Sequence, residues 1–137
     1  MLDIFSRMVF GWALNAYRDE ALVDQSARME LARRHPEPGL LHHSDRGSQY
    51  TATDYRELLA SYGIVVSMSG KGDSYDNALK ENFFGTLKSE CVDRQSFQHR
   101  AQARQAIFEY LEAFCNRQRL HSSLGYLSPV TYEQQAN

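Results

Sequence analysis

The sequence predicts an α/β domain with a mixed sheet, and three observations support this fold class. Short apolar segments alternate with longer segments of helical periodicity along the chain. Residues 8–15 are apolar or small on both faces, which is typical of a strand covered on both sides. The length of 137 residues and the 42% content of hydrophobic residues suit one packed domain.

The first part of the chain predicts two strands and a helix. Residues 2–5 and 8–15 are interpreted as strands that are separated by a short turn. Residues 19–34 are rich in Ala, Leu, Glu and Arg and predict a helix. That helix is expected to end at the HPEPG stretch of residues 35–39, because proline and glycine interrupt helices.

The central part predicts a strand over residues 40–43, a helix over about 52–62 and a strand over 64–66. Thr51 and Asp54 have the spacing of a capping box and are expected to start the helix. The first of these strands leads directly to Asp45, so that a carboxylate stands where a strand ends and a turn begins.

The last part predicts a glycine-rich loop over residues 69–74, helices over about 76–90 and 98–116, and a turn-rich closing segment. At 100° per residue, the first of these helices has two opposite faces. One face carries Leu79, Phe83, Thr86 and Leu87 and is expected to pack on the sheet. The other carries Asn77, Glu81, Phe84 and Lys88.

Two carboxylates, Asp45 and Glu81, suggest a metal site. Ligands of open α/β sheets bind at the carboxyl ends of strands, where Asp45 is predicted and which Glu81 could reach from its helix. Paired carboxylates repel one another unless a cation lies between them, and Mg²⁺ or Mn²⁺ with oxygen ligands is the usual solution. An equally supported alternative is that Asp45 only shapes a turn and that Glu81 is a solvated helix residue.

Four segments carry a resemblance to a known family: LDIFSRMVFGWAL, HHSDRGSQYTATDYRELLASYGI, SMSGKGDSYDNALKENFFGTLKSE and NRQRLHSSLGYLSPVTYE. Together they resemble the catalytic domain of bacterial DDE transposases of the IS-three insertion-sequence group, which are relatives of retroviral integrases. Thirty-five residues separate Asp45 from Glu81, which is that family's spacing between its second and third catalytic acids.

The resemblance implies an RNase H-like fold, a mixed sheet flanked by helices, and metal-dependent DNA cleavage and strand transfer. It implies that Asp45 and Glu81 are catalytic and bind the two Mg²⁺ or Mn²⁺ ions of the intact enzyme. It also implies that Lys88 and Asn77 contact DNA. Lys71 in the glycine-rich loop is a further candidate for phosphate contact, and a solvated lysine is an equal alternative for it.

The resemblance also implies that residues 1–137 are a partial core domain, which runs from the second strand to the C-terminus and lacks the first, central strand. The family's first catalytic Asp lies on that strand, and Asp3 is not expected to replace it. Whether this chain is itself an enzyme is therefore left open, and the fragment is expected to be inactive. Two alternatives are another RNase H-like nuclease and a non-catalytic product that modulates the assembly of intact transposase.

Charge and composition limit the remaining classes. The net charge of −2 argues against a simple basic protein that coats DNA. No apolar run approaches the roughly 18 residues of a membrane span, so no membrane partner is expected. The expected partners are DNA, as insertion-sequence ends and target, and further copies of the chain. The expected location is the bacterial cytoplasm, at the nucleoid.

Overall fold

The computed structural model of the chain describes residues 1–17, 19–68 and 78–137. They form two compact units. The first contains Met1 and residues 11–81, and the second contains residues 2–10 and 82–137. The glycine-rich loop, together with the predictions for Lys71 and Asn77, lies outside the described residues.

The helices and strands, in chain order, are α1 (Glu20–Arg34), β1 (Leu41–Ser44), α2 (Ser48–Thr51), α3 (Thr53–Ser61), β2 (Val65–Met68), α4 (Ala78–Leu87), α5 (Arg100–Phe108) and α6 (Pro129–Ala136). Helix α4 continues as a π-helical segment over Lys88–Val92, and α5 continues as another over Glu109–Cys115. A short 3₁₀ helix spans Ser122–Leu124. Within the described ranges, none of the helices combines the length and the apolar character that crossing a membrane requires.

The first unit is an α/β arrangement with a parallel sheet. Among the residues described, the sheet has two strands, β1 and β2, with Leu41 opposite Val65 and Ser44 opposite Met68. Its core is formed by one stripe of α1, two side chains of α3 and the residue before β2: Val23, Ala27, Leu31, Tyr55, Leu59 and Ile64. The predicted α1, α3 and both strands are confirmed, with boundaries shifted by a residue or two.

Gly11 allows a close approach to helix α1. A β-carbon at this position would collide with the carbonyl oxygen of Ser26 and would lie 3.1 Å from the backbone nitrogen of Glu30. Both atoms belong to the helix backbone and cannot turn aside as a flexible side chain would. Glycine at this position is therefore required by packing.

The prediction of strands over residues 2–5 and 8–15 is wrong. The two segments share a single antiparallel bridge, between Leu2 and Val9. The short turn predicted between them does form, and the Asp3 carboxylate accepts hydrogen bonds from the backbone nitrogen and the hydroxyl of Ser6 at 2.9 and 2.6 Å. Arg7 follows with a φ of 62°, in the left-handed region that is typical of turns.

In the second unit, a side chain takes the place of a strand neighbour. The Asn116 amide accepts a hydrogen bond from the Val9 nitrogen and donates one to the Val9 oxygen, both at 2.9 Å. Asn116 is only 2% exposed, and its own carbonyl accepts from Val130 at the start of α6. Asn116 therefore joins an N-terminal segment to the start of α6, through its side-chain amide on one side and its backbone carbonyl on the other.

Two local predictions at helix starts need correction. The capping box of Thr51 and Asp54 does not form, because α3 begins at Thr53 and Thr51 belongs to α2, where its hydroxyl donates to the Ser48 carbonyl. The closing segment contains helix α6, which was expected to be turns. The signal was present, since Ser128 caps this helix and Pro129 occupies its first turn.

Candidate active site

Asp45 lies immediately after β1, at the carboxyl end of the strand, and both of its carboxylate oxygens are engaged. Its Oδ1 accepts a hydrogen bond from the Gly47 nitrogen at 2.9 Å. Its Oδ2 accepts one from the Lys80 ammonium at 2.7 Å. The Asp45 side chain keeps 36% of its surface exposed, so its carboxylate remains open to a ligand.

Gly47 fits the turn that holds Asp45. A β-carbon at Gly47 would lie 3.0 Å from the Asp45 Oδ1 and 2.9 Å from the side-chain amide of Gln49. A larger residue would press on the same carboxylate oxygen that the Gly47 nitrogen binds. The DRG sequence therefore fixes the orientation of the Asp45 carboxyl group through its backbone.

Glu81 lies in the first turn of α4 and is exposed. It directly follows Lys80, whose ammonium contacts Asp45. This contact brings the first turn of α4 beside the end of β1. Neighbouring residues on a helix point about 100° apart, so Lys80 and Glu81 leave the same turn in different directions.

The electrostatics favour a charged carboxylate at Asp45. The hydrogen bond from Lys80 lowers the pKa of Asp45, partial burial opposes this, and the Gly47 hydrogen bond supports it. Burial raises the pKa of nearby Tyr50. The positive charge of Lys80 lowers this pKa, and the negative charge of Asp45 raises it. Asp45 is thus an anion whose charge is balanced by an ammonium group.

The donor chemistry of Asp45 and Glu81 suits Mg²⁺ or Mn²⁺, which prefer carboxylate oxygens and retain several waters. In the part of the chain that the structure describes, no group of three or more His, Cys, Asp or Glu side chains is placed to hold a metal ion. Asp45 and Glu81 each offer carboxylate oxygens of the kind that these ions bind, and the Lys80 ammonium contacts Oδ2 of Asp45.

The outward face of α4 is confirmed within the described residues. Glu81, Phe84 and Lys88 are exposed, and 56% of the Phe84 surface is accessible. The opposite side chains are all partly buried: Leu79, Phe83, Thr86 and Leu87. Lys88 starts the first π-helical segment and points its charge to solvent.

The two histidines before Asp45 have separate roles. His42 is partly buried, and its Nε2 lies 3.0 Å from the Tyr55 hydroxyl. Burial, and next the charged N-terminus, lower the pKa of His42 to about 4. His43 is exposed, with its Nδ1 3.2 Å from the Ser67 hydroxyl. They lie on opposite sides of the strand, as alternation predicts.

A network in the second unit was not predicted. The Arg119 guanidinium binds both carboxylate oxygens of Glu90, at 2.6 and 2.9 Å, and the Tyr110 hydroxyl donates to Glu90 at 2.6 Å. The hydrogen bond from Arg119, and next that from Tyr110, lower the pKa of Glu90 to about 2. Glu90 belongs to the π-helical segment that extends α4, so this network anchors the C-terminal end of that helix.

Comparison with known proteins places the chain in a family. An integrase core domain model matches residues 1–74, and a second integrase core domain model matches residues 81–136. The chain therefore belongs to the integrase core domain family, in agreement with the resemblance seen in the sequence.

Its relatives include proteins of insertion sequences. The chain is 42% identical to the transposase for insertion sequence element IS904 of Lactococcus lactis subsp. lactis (strain IL1403), over 97% of the chain and 53% of that protein. It is 42% identical to the insertion element IS600 uncharacterized 31 kDa protein of Shigella sonnei, over 96% of the chain and 48% of that protein. It is 39% identical to transposase InsF for insertion sequence IS3fB of Escherichia coli (strain K12), over 98% of the chain and 47% of that protein. The chain thus spans about half the length of the curated relatives it matches.

Proposed function

We propose that this chain is the catalytic core of a DNA transposase, in which Asp45 and Glu81 bind Mg²⁺ or Mn²⁺ for phosphodiester cleavage and strand transfer. The observation that carries the proposal is the 2.7 Å contact between Lys80 and Asp45. It brings the helix turn that contains Glu81 to the strand end that carries Asp45. The names of the relatives, which are transposases of insertion sequences, support DNA as the substrate.

In this proposal, backbone contacts orient the Asp45 carboxylate, and the side chains of Asp45 and Glu81 supply the negative charge that binds the cation. The Gly47 nitrogen holds Oδ1 of Asp45, which leaves Oδ2 as the oxygen that exchanges its partner. Glu81 supplies a second carboxylate from an exposed helix turn. A bound divalent ion would stabilise the negative charge that develops on phosphate oxygens. Lys88, Asn77 and Lys71 are proposed to contact DNA.

The finer fold assignment is part of the same proposal. The parallel pair β1 and β2 and the flanking helices are compatible with an RNase H-like core that lacks its first, central strand. The chain spans about half the length of the relatives it matches. We expect the 137-residue chain to be inactive or nearly so when it is tested alone. A homo-oligomer that acts on insertion-sequence ends and target DNA at the bacterial nucleoid is expected.

The test is a chimera in which this chain replaces the matching half of the IS904 transposase. With Mg²⁺ or Mn²⁺, the chimera should cut and join IS904 ends, and Asp45→Asn or Glu81→Gln should abolish both steps. Asp54→Asn and Glu57→Gln are matched controls, because both of these acids are exposed on α3, and they should leave activity unchanged. Full activity of the Asp45→Asn chimera would refute the proposal, and cutting without joining would favour another RNase H-like nuclease.

A second candidate function is a non-catalytic chain that modulates the assembly of intact transposase. This candidate is motivated by the length of the chain, which is about half that of the relatives it matches. Co-purification of the tagged chain with full-length transposase, together with reduced transposition in cells that express both, would support this candidate. Full transposition and no association would exclude it.

A further inference from the structure

Lys80 occupies the carboxylate oxygen of Asp45 that faces helix α4. Its Nζ lies 2.7 Å from Oδ2, while 42% of the Lys80 side chain and 36% of the Asp45 side chain remain exposed. The other oxygen of Asp45 is bound by the Gly47 nitrogen and belongs to the turn itself. Of the two oxygens, Oδ2 is therefore the one whose partner sits on a flexible side chain.

An ammonium group and a divalent cation compete for such an oxygen. Both are attracted by the same negative charge, and a cation that binds Oδ2 at about 2–2.5 Å would lie too close to an ammonium at hydrogen-bond distance. Ion pairs between exposed side chains contribute only about 0–1 kcal/mol. The lysine is therefore a weak partner that a divalent ion can displace, and its four-carbon stem gives it room to move.

We propose that Lys80 is a positioning residue that neutralises Asp45 while the metal is absent and holds the first turn of α4 in place until a divalent cation displaces it. The inference rests on the proposed function, because it needs Asp45 to be a metal ligand. Since Lys80 directly precedes Glu81, the same contact keeps the second acid near the strand end before the metal arrives. When the cation binds, Oδ2 of Asp45 exchanges the singly charged ammonium of Lys80 for a doubly charged metal ion.

The test compares Mn²⁺ affinity, measured by isothermal titration calorimetry, among four forms of the 137-residue chain. Lys80→Met removes the competitor and keeps the length of the stem, so it should bind Mn²⁺ about two- to fivefold more tightly than wild type, which corresponds to the measured strength of exposed ion pairs. Arg56→Met removes an exposed cation on α3 and should change the affinity by less. Asp45→Asn should abolish or strongly weaken binding.

A second measurement separates displacement from a general effect of charge. When Mg²⁺ is added, the ε-methylene NMR signals of Lys80 should shift with the same midpoint as binding, while those of Lys88 should stay in place. Unchanged or weaker Mn²⁺ affinity in Lys80→Met, or Lys80 signals that do not move at saturating Mg²⁺, would overturn the inference alone. Equal Mn²⁺ binding by wild type and Asp45→Asn would instead refute the proposed function, and this inference with it.

Discussion

Asn116 gives Val9 both of the hydrogen bonds that a neighbouring strand would give. Its amide accepts from the Val9 nitrogen and donates to the Val9 oxygen, at 2.9 Å each, across 107 positions of sequence. Val9 and Asn116 are each 2% exposed. A buried backbone group without a partner is costly, so this amide stabilises the packing of Val9 in the second unit.

Replacing Asn116 should therefore destabilise the protein strongly. Asn116→Ala leaves the nitrogen and the oxygen of Val9 without partners, and we expect the free energy of unfolding to fall by about 2–4 kcal/mol. Urea denaturation monitored by circular dichroism measures this change. Asn15→Ala, at an exposed asparagine, is the control and should stay within about 0.5 kcal/mol of wild type. A similarly small effect for Asn116→Ala would show that the two hydrogen bonds between Asn116 and Val9 contribute little to stability.

The Glu90–Arg119 pair should make stability depend on pH under acidic conditions. The pKa of Glu90 is about 2 in the folded chain, compared with 4.5 as its ordinary value, so the folded state favours the charged carboxylate. This contribution is fully present above about pH 4.5 and is lost as the pH falls towards 2. Glu90→Gln should remove the corresponding part of the slope of unfolding free energy against pH.

Arg119→Lys provides a second check on this pair. Lysine keeps the charge but cannot bind both oxygens of Glu90 in parallel. The Arg119→Lys variant should therefore show less than half of the pH-dependent stabilisation that wild type shows. Urea denaturation at several pH values between 2 and 6 gives the comparison, with Glu57→Gln on exposed α3 as the control. A Glu90→Gln variant with the same slope as wild type would contradict the assigned role of the pair.

His42 should make stability depend on pH in a higher range than Glu90 does, because protonation gives its side chain a positive charge. Burial, followed by the charged N-terminus, lowers the pKa of His42 from 6.5 to about 4, so that the folded chain binds this proton less readily than the unfolded chain does. The stability is therefore full above about pH 6.5 and declines as the pH falls from there to about 4. His42→Phe should flatten that decline, whereas His99→Asn, at an exposed histidine, should preserve it. If the stability of His42→Phe still declined in this pH range, the decline would have to come from another group.

Two glycines offer a matched test of packing. Gly11→Ala places a β-carbon against the backbone of α1 and should destabilise the chain by about 1–3 kcal/mol or more. Gly85 lies in α4 with nothing within 4 Å of an added β-carbon, so Gly85→Ala should stabilise by up to about 1 kcal/mol. Thermal unfolding of the two variants gives the signs directly, and equal effects would contradict the packing at Gly11.

Local patterns in the sequence were sufficient for the elements of the first unit. The periodicity of residues 19–34, the HPEPG stop and the short apolar runs before Asp45 and after Gly63 specified α1, β1 and β2. The two faces of α4 also followed from helical spacing, and side-chain exposure in the described part of that helix agrees. These features depend on residues close together in the chain, where spacing alone is informative.

Long-range polar contacts were not predictable in the same way. Apolar residues 8–15 resemble a strand, yet the hydrogen bonds of Val9 are made with the side-chain amide of the distant Asn116. The Arg119–Glu90 pair spans 29 positions, and the Lys80–Asp45 pair spans 35. Nothing in the sequence around Lys80 indicates which carboxylate its ammonium contacts. Its pairing with Asp45 could therefore be found only from the structure.

The central claim is that Asp45 and Glu81 hold the same divalent cation, and paramagnetic broadening of NMR signals by Mn²⁺ tests it most directly. At substoichiometric Mn²⁺, the backbone amide signals of Gly47 and Glu81 should broaden together, and Asp45→Asn or Glu81→Gln should each weaken the effect at both positions. Broadening at only one of the two amides, or broadening that persists at both when Asp45→Asn and Glu81→Gln are combined, would contradict the claim.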